Sequence, residues 1–215
     1  MPTRSRFHPV NPSALRSLRR QLGWSQAELG KRAGYCERVI RKAEAGGSLS
    51  INTIDNLVLT FLTHNIPVTA RELIYSEDVL AQRFIGSYDS HGVAMLDQCE
   101  QYLTDDFTLD VSAVKTVLQI AGKYVGKERF NAFLGSYFKH FTREANSLTP
   151  TYLTAKGRVA AQFEEKLQFL GEDIPPFWVN VHFYFHAGQI ARADVQFDYV
   201  LVTNTIEDIR RRADY

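Results

Sequence analysis

The sequence predicts an N-terminal all-α bundle followed by an α+β unit built on a curved antiparallel sheet. Three observations carry this division. Apolar residues recur at helical spacing between short start and stop signals over residues 12–63. Beyond residue 103 the dominant pattern becomes period-two alternation, the mark of half-buried strands. The charge changes sign as well: residues 1–75 carry 11 Lys and Arg against 5 Asp and Glu, and residues 76–215 carry 14 against 19. We place the boundary between 75 and 76. The basic part is the candidate for a polyanionic partner.

With 215 residues and 45% hydrophobic composition, the chain has enough apolar material for a core in each part. No run approaches the roughly 18–20 apolar residues that span a bilayer, so no membrane partner is expected. The start, Met-Pro-Thr-Arg-Ser-Arg-Phe-His, lacks the apolar stretch of a secretory signal. Cys36 and Cys99 make neither a disulfide framework nor a metal-ligand pattern. The expectation is a cytoplasmic protein with no cofactor and no metal.

In the first part, Ser13 is the expected cap of a helix carrying Leu15, Leu18 and Leu22, and Gly23 ends it. Ser25 caps the next helix, with Glu28 three residues on in the capping-box arrangement. Leu29 and Ala33 face inward, and Gly34 supplies the positive φ of a tight turn between helices. A third helix spans about 36–45, a fourth begins near Ser50 with Ile51, Ile54, Leu57, Val58 and Phe61, and a short one lies within 65–75.

The arrangement Gln26-x-Glu28-Leu29-x-x-x-Ala33-Gly34, then Ile40, then Glu44-x-Gly46, resembles the helix-turn-helix of phage repressor and Cro proteins and of bacterial regulators of the xenobiotic-response-element type. The resemblance covers about 12–63. It departs at Cys36, where Ser or Thr is usual, and at the extra Gly47. It implies double-stranded DNA as partner, with Gln26 on the phosphate backbone and Glu37, Arg38, Arg41 and Lys42 as candidates for base edges. A merely solvated charged face is the alternative for those side chains. Arg19 and Glu44 match a structural ion pair of the family. Arg4 and Arg6 could form an arm reaching a minor groove, or a plain terminal segment.

In the second part, residues 77–103 read as two helices carrying Val79, Leu80, Phe84, Ile85, Met95, Leu96, Cys99 and Leu103. A strand over 104–111 follows, then a helix over about 127–142 with Phe130, Phe133, Leu134, Tyr137 and Phe138 as its apolar stripe. Three alternating segments, 149–170, 177–187 and 189–202, complete the chain, with a hairpin turn at Ala187-Gly188.

The residues Leu103-Thr104-Asp105-Asp106, Gly122-x-Tyr124-x-Gly126-Lys127-Glu128 and Gly188-Gln189-Ile190-x-Arg192-x-Asp194 make residues 77–200 resemble an NTF2-like domain of the SnoaL-like group. Such cone-shaped α+β folds enclose a pocket and often dimerise through the sheet. The resemblance implies a pocket for a small apolar ligand, with Leu109, Val111, Phe163, Glu165, Val181 and Phe183 as its candidate lining. In steroid-isomerase members two strand positions carry acids; here they hold Val111 and Val181, and a valine cannot abstract a proton. No catalytic residue is therefore expected. Glu165 is either a pocket carboxylate or a residue at the rim or past a bulge. His182 and His186, four strand residues apart, stand about 13 Å apart, too far for one metal ion. Trp178, His182, Tyr184 and His186 form the outward face, and Cys99 belongs to the core.

Together these resemblances imply a sequence-specific DNA-binding transcriptional regulator without enzymatic activity, a homodimer setting two recognition helices on half-sites, tuned by a small apolar ligand. The alternative is an NTF2-like enzyme of isomerase, cyclase or hydratase class carrying an autoregulatory DNA-binding domain, with Asp110, Glu165 or Asp194 as acid or base. A third possibility is a dimerisation scaffold with a filled interior. A titratable group deep in the pocket beside a polar partner would favour the enzyme.

Overall fold

Short helices in water need their first N–H groups satisfied, and the N-terminal residues supply the acceptors. In the computed structural model, which describes residues 7–113, 120–155, 158–186 and 188–213, α1 (Pro12–Gln21) starts at Asn11, whose side chain accepts from the Ala14 N–H. Ser13 is therefore not the cap. Its hydroxyl donates to Asn11 Oδ1 at 2.7 Å, and Pro12 takes the first helical position, where a missing N–H costs nothing. At α2 (Gln26–Ala33) Ser25 and Glu28 form a full capping box, and Gly34 closes the helix at φ 79°. α3 (Glu37–Glu44) begins at Cys36 with no side-chain cap, α4 (Ile51–Leu62) is capped by Ser50, and α5 is Ala70–Leu73.

The chain divides into two units, Met1–Leu80 with His186–Gln189, and Ala81–Phe185 with Ile190–Tyr215. The first unit is not all-α. Strand β1 (Phe7–Pro9) pairs antiparallel with β2 (Ser48–Ser50), His8 opposite Leu49. The segment after Gly46-Gly47 is extended rather than a loose loop because Leu49 is drawn into the core, 5% exposed. Leu15, Leu29, Ile40, Ile54 and Phe61 are fully buried at its centre. Arg19 and Glu44 make a bidentate pair, Nε to Oε1 at 2.5 Å and Nη2 to Oε2 at 3.0 Å.

The second unit takes up α6 (Glu77–His91) from Ala81 onward, a 3-10 turn, α7 (Met95–Cys99) and a second 3-10 turn that leads into β3 (Leu103–Ser112). β4 (Gly122–Val125), α8 (Lys127–His140) and β5 (Phe141–Thr142) follow. The expected strand over 149–170 is three elements: β6 (Thr151–Ala155), β7 (Arg158–Glu165) and β8 (Gln168–Phe169). β9 (Glu172–Asp173), β10 (Phe177–His186) and β11 (Gln189–Phe197) come next. The alternation expected to run to 202 stops at Phe197. Asp198 then caps α9 (Tyr199–Ala213), its carboxylate accepting from the Leu201 N–H at 3.0 Å. Of the expected Ala187-Gly188 turn, Ala187 lies outside the described residues, and Gly188 has φ 80°.

Six strands form the main sheet in the order β4-β3-β11-β10-β7-β6. It is not purely antiparallel, because β11 runs parallel to β3, with Ala193 opposite Leu109 and Val195 opposite Val111. Its inner face is set by alternation: Val159, Ala161, Phe163 and Glu165 on β7 oppose Phe183, Val181, Val179 and Phe177 on β10. α8 lays Phe130, Leu134 and Tyr137 against this unit's core, where Phe84, Phe107, Phe130 and Phe183 make an aromatic cluster with centroids 5.2–5.9 Å apart. Each fully buried ring is worth roughly 1.5–3 kcal/mol of transfer free energy. Among the described residues no helix is long and apolar enough to cross a membrane.

Candidate functional site

The alternation of β7 places Glu165 on the same face as Val159, Ala161 and Phe163, a position that normally carries an apolar side chain. The strand continues in register, Glu165 opposite Phe177, with no bulge to turn the carboxylate out. Glu165 is 2% exposed and lines an apolar cavity of about 100 Å³. Among the described residues lining this cavity, only Glu165, Tyr88 on α6 and Tyr137 on α8 carry side-chain oxygen or nitrogen atoms.

A buried carboxylate is tolerable only when its lone pairs are met. Tyr88 donates its hydroxyl proton to Glu165 Oε2 at 2.8 Å, and Arg143 Nε and the Lys166 N–H donate to Oε1, both at 3.2 Å. The Tyr137 hydroxyl lies 3.0 Å from that of Tyr88. Arg143, just past β5, is in turn held by Asp89 on α6: Nη2 donates to its Oδ1 at 2.7 Å and Nη1 to its backbone carbonyl at 2.9 Å. The Asp89 carboxylate also accepts from the Ser147 and Leu148 N–H groups, which fixes the loop carrying Arg143. The guanidinium sits 4.9 Å from the Tyr88 ring centroid, adding a cation–π contact.

Burial pushes the Glu165 carboxyl above the usual carboxylate range; the Arg143 charge and the bonds from Tyr88, Arg143 and Lys166 offset that only in part. Burial likewise raises Tyr88 well above the ordinary phenol value and raises Tyr137, so both keep their protons at neutral pH. The arrangement is a carboxylate of raised proton affinity and two hydroxyl groups beside an apolar void. That is the equipment for moving a proton on a small bound molecule. Among the described residues no group of three His, Cys, Asp or Glu is placed to hold a metal ion.

No family model matches the chain, and no curated protein matches it by sequence. Solved structures do. An NTF2-like protein of unknown function from Burkholderia pseudomallei superposes with TM-score 0.52 at 15% identity, covering 59% of this chain and 96% of its own. TerC, co-crystallised with polyporic acid, gives 0.52 at 15%, covering 60% and 98%. A candidate isomerase from Rhodopseudomonas palustris gives 0.50 at 10%, covering 62% and 98%. Over about 59% of its length this chain has an NTF2-like fold.

The NTF2-like likeness corrects the function that the sequence put first. A DNA-binding transcriptional regulator without enzymatic activity was expected. Of these solved neighbours one is instead an NTF2-like protein and another a candidate isomerase. The buried Glu165 points the same way: it is the titratable group beside polar partners that distinguishes the enzyme alternative.

Of the six residues expected to line the NTF2-like pocket, Leu109, Val111, Phe163, Glu165 and Val181 border the cavity. Phe183 does not. It shares their face but lies further along β10, where its ring packs 5.3 Å from that of Phe84 and fills the core. Val111 and Val181 do line the cavity, so an acid at those two places is absent and the carboxylate enters from β7 instead. Asp110 and Asp194, offered as alternative acids, sit opposite each other on β3 and β11 and share Arg192 as ion-pair partner. Neither borders the cavity, because alternation turns both to the other face. Trp178 stands outward, 58% exposed, and Cys99 is buried.

In the first unit Glu37, Arg38, Arg41 and Lys42 are all exposed on α3. Gln26 is half-buried, its amide nitrogen donating to Glu44 Oε2 at 2.8 Å, so it joins the Arg19–Glu44 pair. Arg4 and Arg6 lie outside the described residues. Arg143, Tyr88 and Asp89 escaped the sequence reading altogether, and Tyr137 entered it only as part of an apolar stripe.

Proposed function

We propose that the NTF2-like unit is an acid–base enzyme of isomerase type that moves a proton next to the carbonyl of a small neutral molecule. The supporting observation is Glu165: a carboxylate of raised proton affinity, bordering an apolar cavity, with three of its roughly four lone-pair sites occupied and one left for a substrate. Glu165 takes the α-proton and returns it to another position. Val111 and Val181 limit the chemistry to a single carboxylate working in both directions.

The test is deuterium incorporation at the α-carbon of single-ring ketones in heavy water, followed by NMR. Wild-type protein is expected to accelerate exchange, and Glu165→Gln to lose about a hundredfold or more of that acceleration. Exchange no faster than buffer, or a Glu165→Gln variant as fast as wild type, removes this function. In fold, we read the α1–α5 unit as a bundle of the helix-turn-helix type, supported by the Ser25–Glu28 box, the left-handed Gly34 and the Arg19–Glu44 pair. No catalytic role is assigned to it.

A further inference from the structure

Hydrogen atoms in the Tyr137–Tyr88–Glu165 cluster can be counted. Glu165, as a carboxylate, only accepts, and the single proton of Tyr88 is committed to its Oε2. Between the two tyrosines, then, Tyr137 must be the donor and Tyr88 the acceptor. With its proton turned toward Tyr88, Tyr137 offers the cavity a hydroxyl oxygen with lone pairs and no hydrogen. Four of the five N–H donors of Arg143 are also spent, Nε on Glu165, one of Nη1 on the Asp89 carbonyl, and both of Nη2 on Asp89 and Ser147.

We propose that Tyr137 is the ligand-contacting end of a proton relay, Tyr137 to Tyr88 to Glu165, and that its oxygen selects small uncharged ligands presenting an O–H or N–H donor. The proposal rests on the cavity being the binding site, as argued above. In the relay the ligand O–H bond breaks as a bond forms to the Tyr137 oxygen. The original Tyr137 proton passes to Tyr88, and the Tyr88 proton passes to Glu165 Oε2. One proton has moved from ligand to carboxylate, and the negative charge has moved the other way; no oxidant or further reactant is needed. For a ketone substrate the relay runs in reverse once Glu165 has taken the α-proton. The Glu165 proton passes to Tyr88, the Tyr88 proton to Tyr137 and the Tyr137 proton to the enolate oxygen, which restores the carboxylate and leaves the enol as the bound O–H donor. Both tyrosines are buried and hold their protons at neutral pH, which keeps the wire filled.

The void of about 100 Å³ limits the ligand to one ring or less, since an apolar cavity of about 150 Å³ accommodates benzene. An anion would meet Glu165, and among the described residues lining the cavity there is no Lys, Arg or His to receive it.

Calorimetric titration at pH 8 of the full chain with phenol, toluene, pyridine and benzoate tests this. Tyr137→Phe is expected to weaken phenol by about fivefold to tenfold while leaving toluene unchanged, the value of one hydrogen bond. Tyr88→Phe releases the Tyr137 proton, so pyridine, an acceptor only, should bind about fivefold more tightly to that variant than to wild type. Benzoate should not bind. Equal effects of Tyr137→Phe on phenol and toluene, or pyridine unmoved by Tyr88→Phe, overturn the relay while leaving the cavity as a site. Failure of every neutral probe to bind wild type overturns the cavity itself, and the relay with it.

Discussion

Arg143 and Glu165 face each other as a buried ion pair, Nε 3.2 Å from Oε1, with side chains 4% and 3% exposed. Removing one partner of such a pair leaves an uncompensated buried charge, which costs more than the pair contributes when intact. Arg143→Met is therefore expected to destabilise the second unit by about 3–5 kcal/mol in urea unfolding. Replacing both, Arg143→Met with Glu165→Leu, should recover most of that loss. A single variant as stable as wild type would show that Asp89 and the Ser147–Leu148 backbone, and not the ion pair, hold the loop.

The pH dependence of stability follows from the same carboxyl. Burial raises its folded-state pKa above the unfolded value, so the native chain binds the proton more tightly than the unfolded one. Its contribution is fully present below the unfolded pKa and is lost as pH rises through the folded one. Relative to Glu165→Gln, wild-type stability should fall with rising pH across a window that begins near the ordinary glutamate value of 4.5. Glu44 has the opposite sign. Burial alone would raise it, but the bonds from Arg19 and Gln26 and the charges of Arg19 and Arg16 outweigh that and hold it below the ordinary glutamate value. Relative to Glu44→Gln, stability should be complete above the unfolded value and fall as pH drops through the folded one. Urea midpoints of the three proteins between about pH 3 and 8, a range from roughly one unit below to roughly four above an ordinary glutamate, check both slopes. A flat wild-type-minus-Gln difference at Glu165 contradicts the raised proton affinity.

What could be read from sequence was what is decided locally. Ser25 and Glu28 are three residues apart and Gly34 acts on its own φ, so capping box and turn could be read directly. Glu165 could be placed on an inward face by counting in twos along β7. Its partners could not, because Tyr88 and Arg143 are 77 and 22 residues away and meet it only after α6 and the loop beyond β5 have packed. The parallel pairing of β11 with β3 is non-local in the same way, and nothing in either strand announces it. α9 was missed for a different reason. Tyr199-Val200-Leu201-Val202-Thr203 has the composition of a strand, yet Asp198 starts a helix and Val202, Ile206 and Ile209 are buried at helical spacing. Cap and period outweighed β propensity there.

The two cysteines should separate cleanly by reactivity. Cys36 is exposed at the start of α3, whereas Cys99 is fully buried, and burial pushes its thiol up to about 12. Only the thiolate attacks, so Cys99 lacks both access and the reactive form. A disulfide reagent at pH 8, within half a unit or so of an ordinary thiol, should titrate one cysteine in the native protein and both in denaturant. Fast native reaction of both would mean that the α7 core opens readily, and a Cys36→Ser variant would then still show a native signal.

Leu170 carries a strain that can be relieved. β8 and β9 are joined by two residues, with Phe169 opposite Glu172, and both loop residues have positive φ, 52° at Leu170 and 83° at Gly171. That is the two-residue hairpin turn that favours Asn-Gly. A left-handed backbone costs most L-residues about 1–2 kcal/mol, and asparagine, which bonds to its own backbone, less. Leu170 returns little packing for that cost, since it is 65% exposed. Leu170→Asn is expected to stabilise the unit by about 0.5–1 kcal/mol, seen as a higher urea midpoint with an unchanged slope. Leu170→Ile, β-branched at the same φ, should lower the midpoint. If Asn lowers it too, Leu170 contributes packing that outweighs the backbone strain.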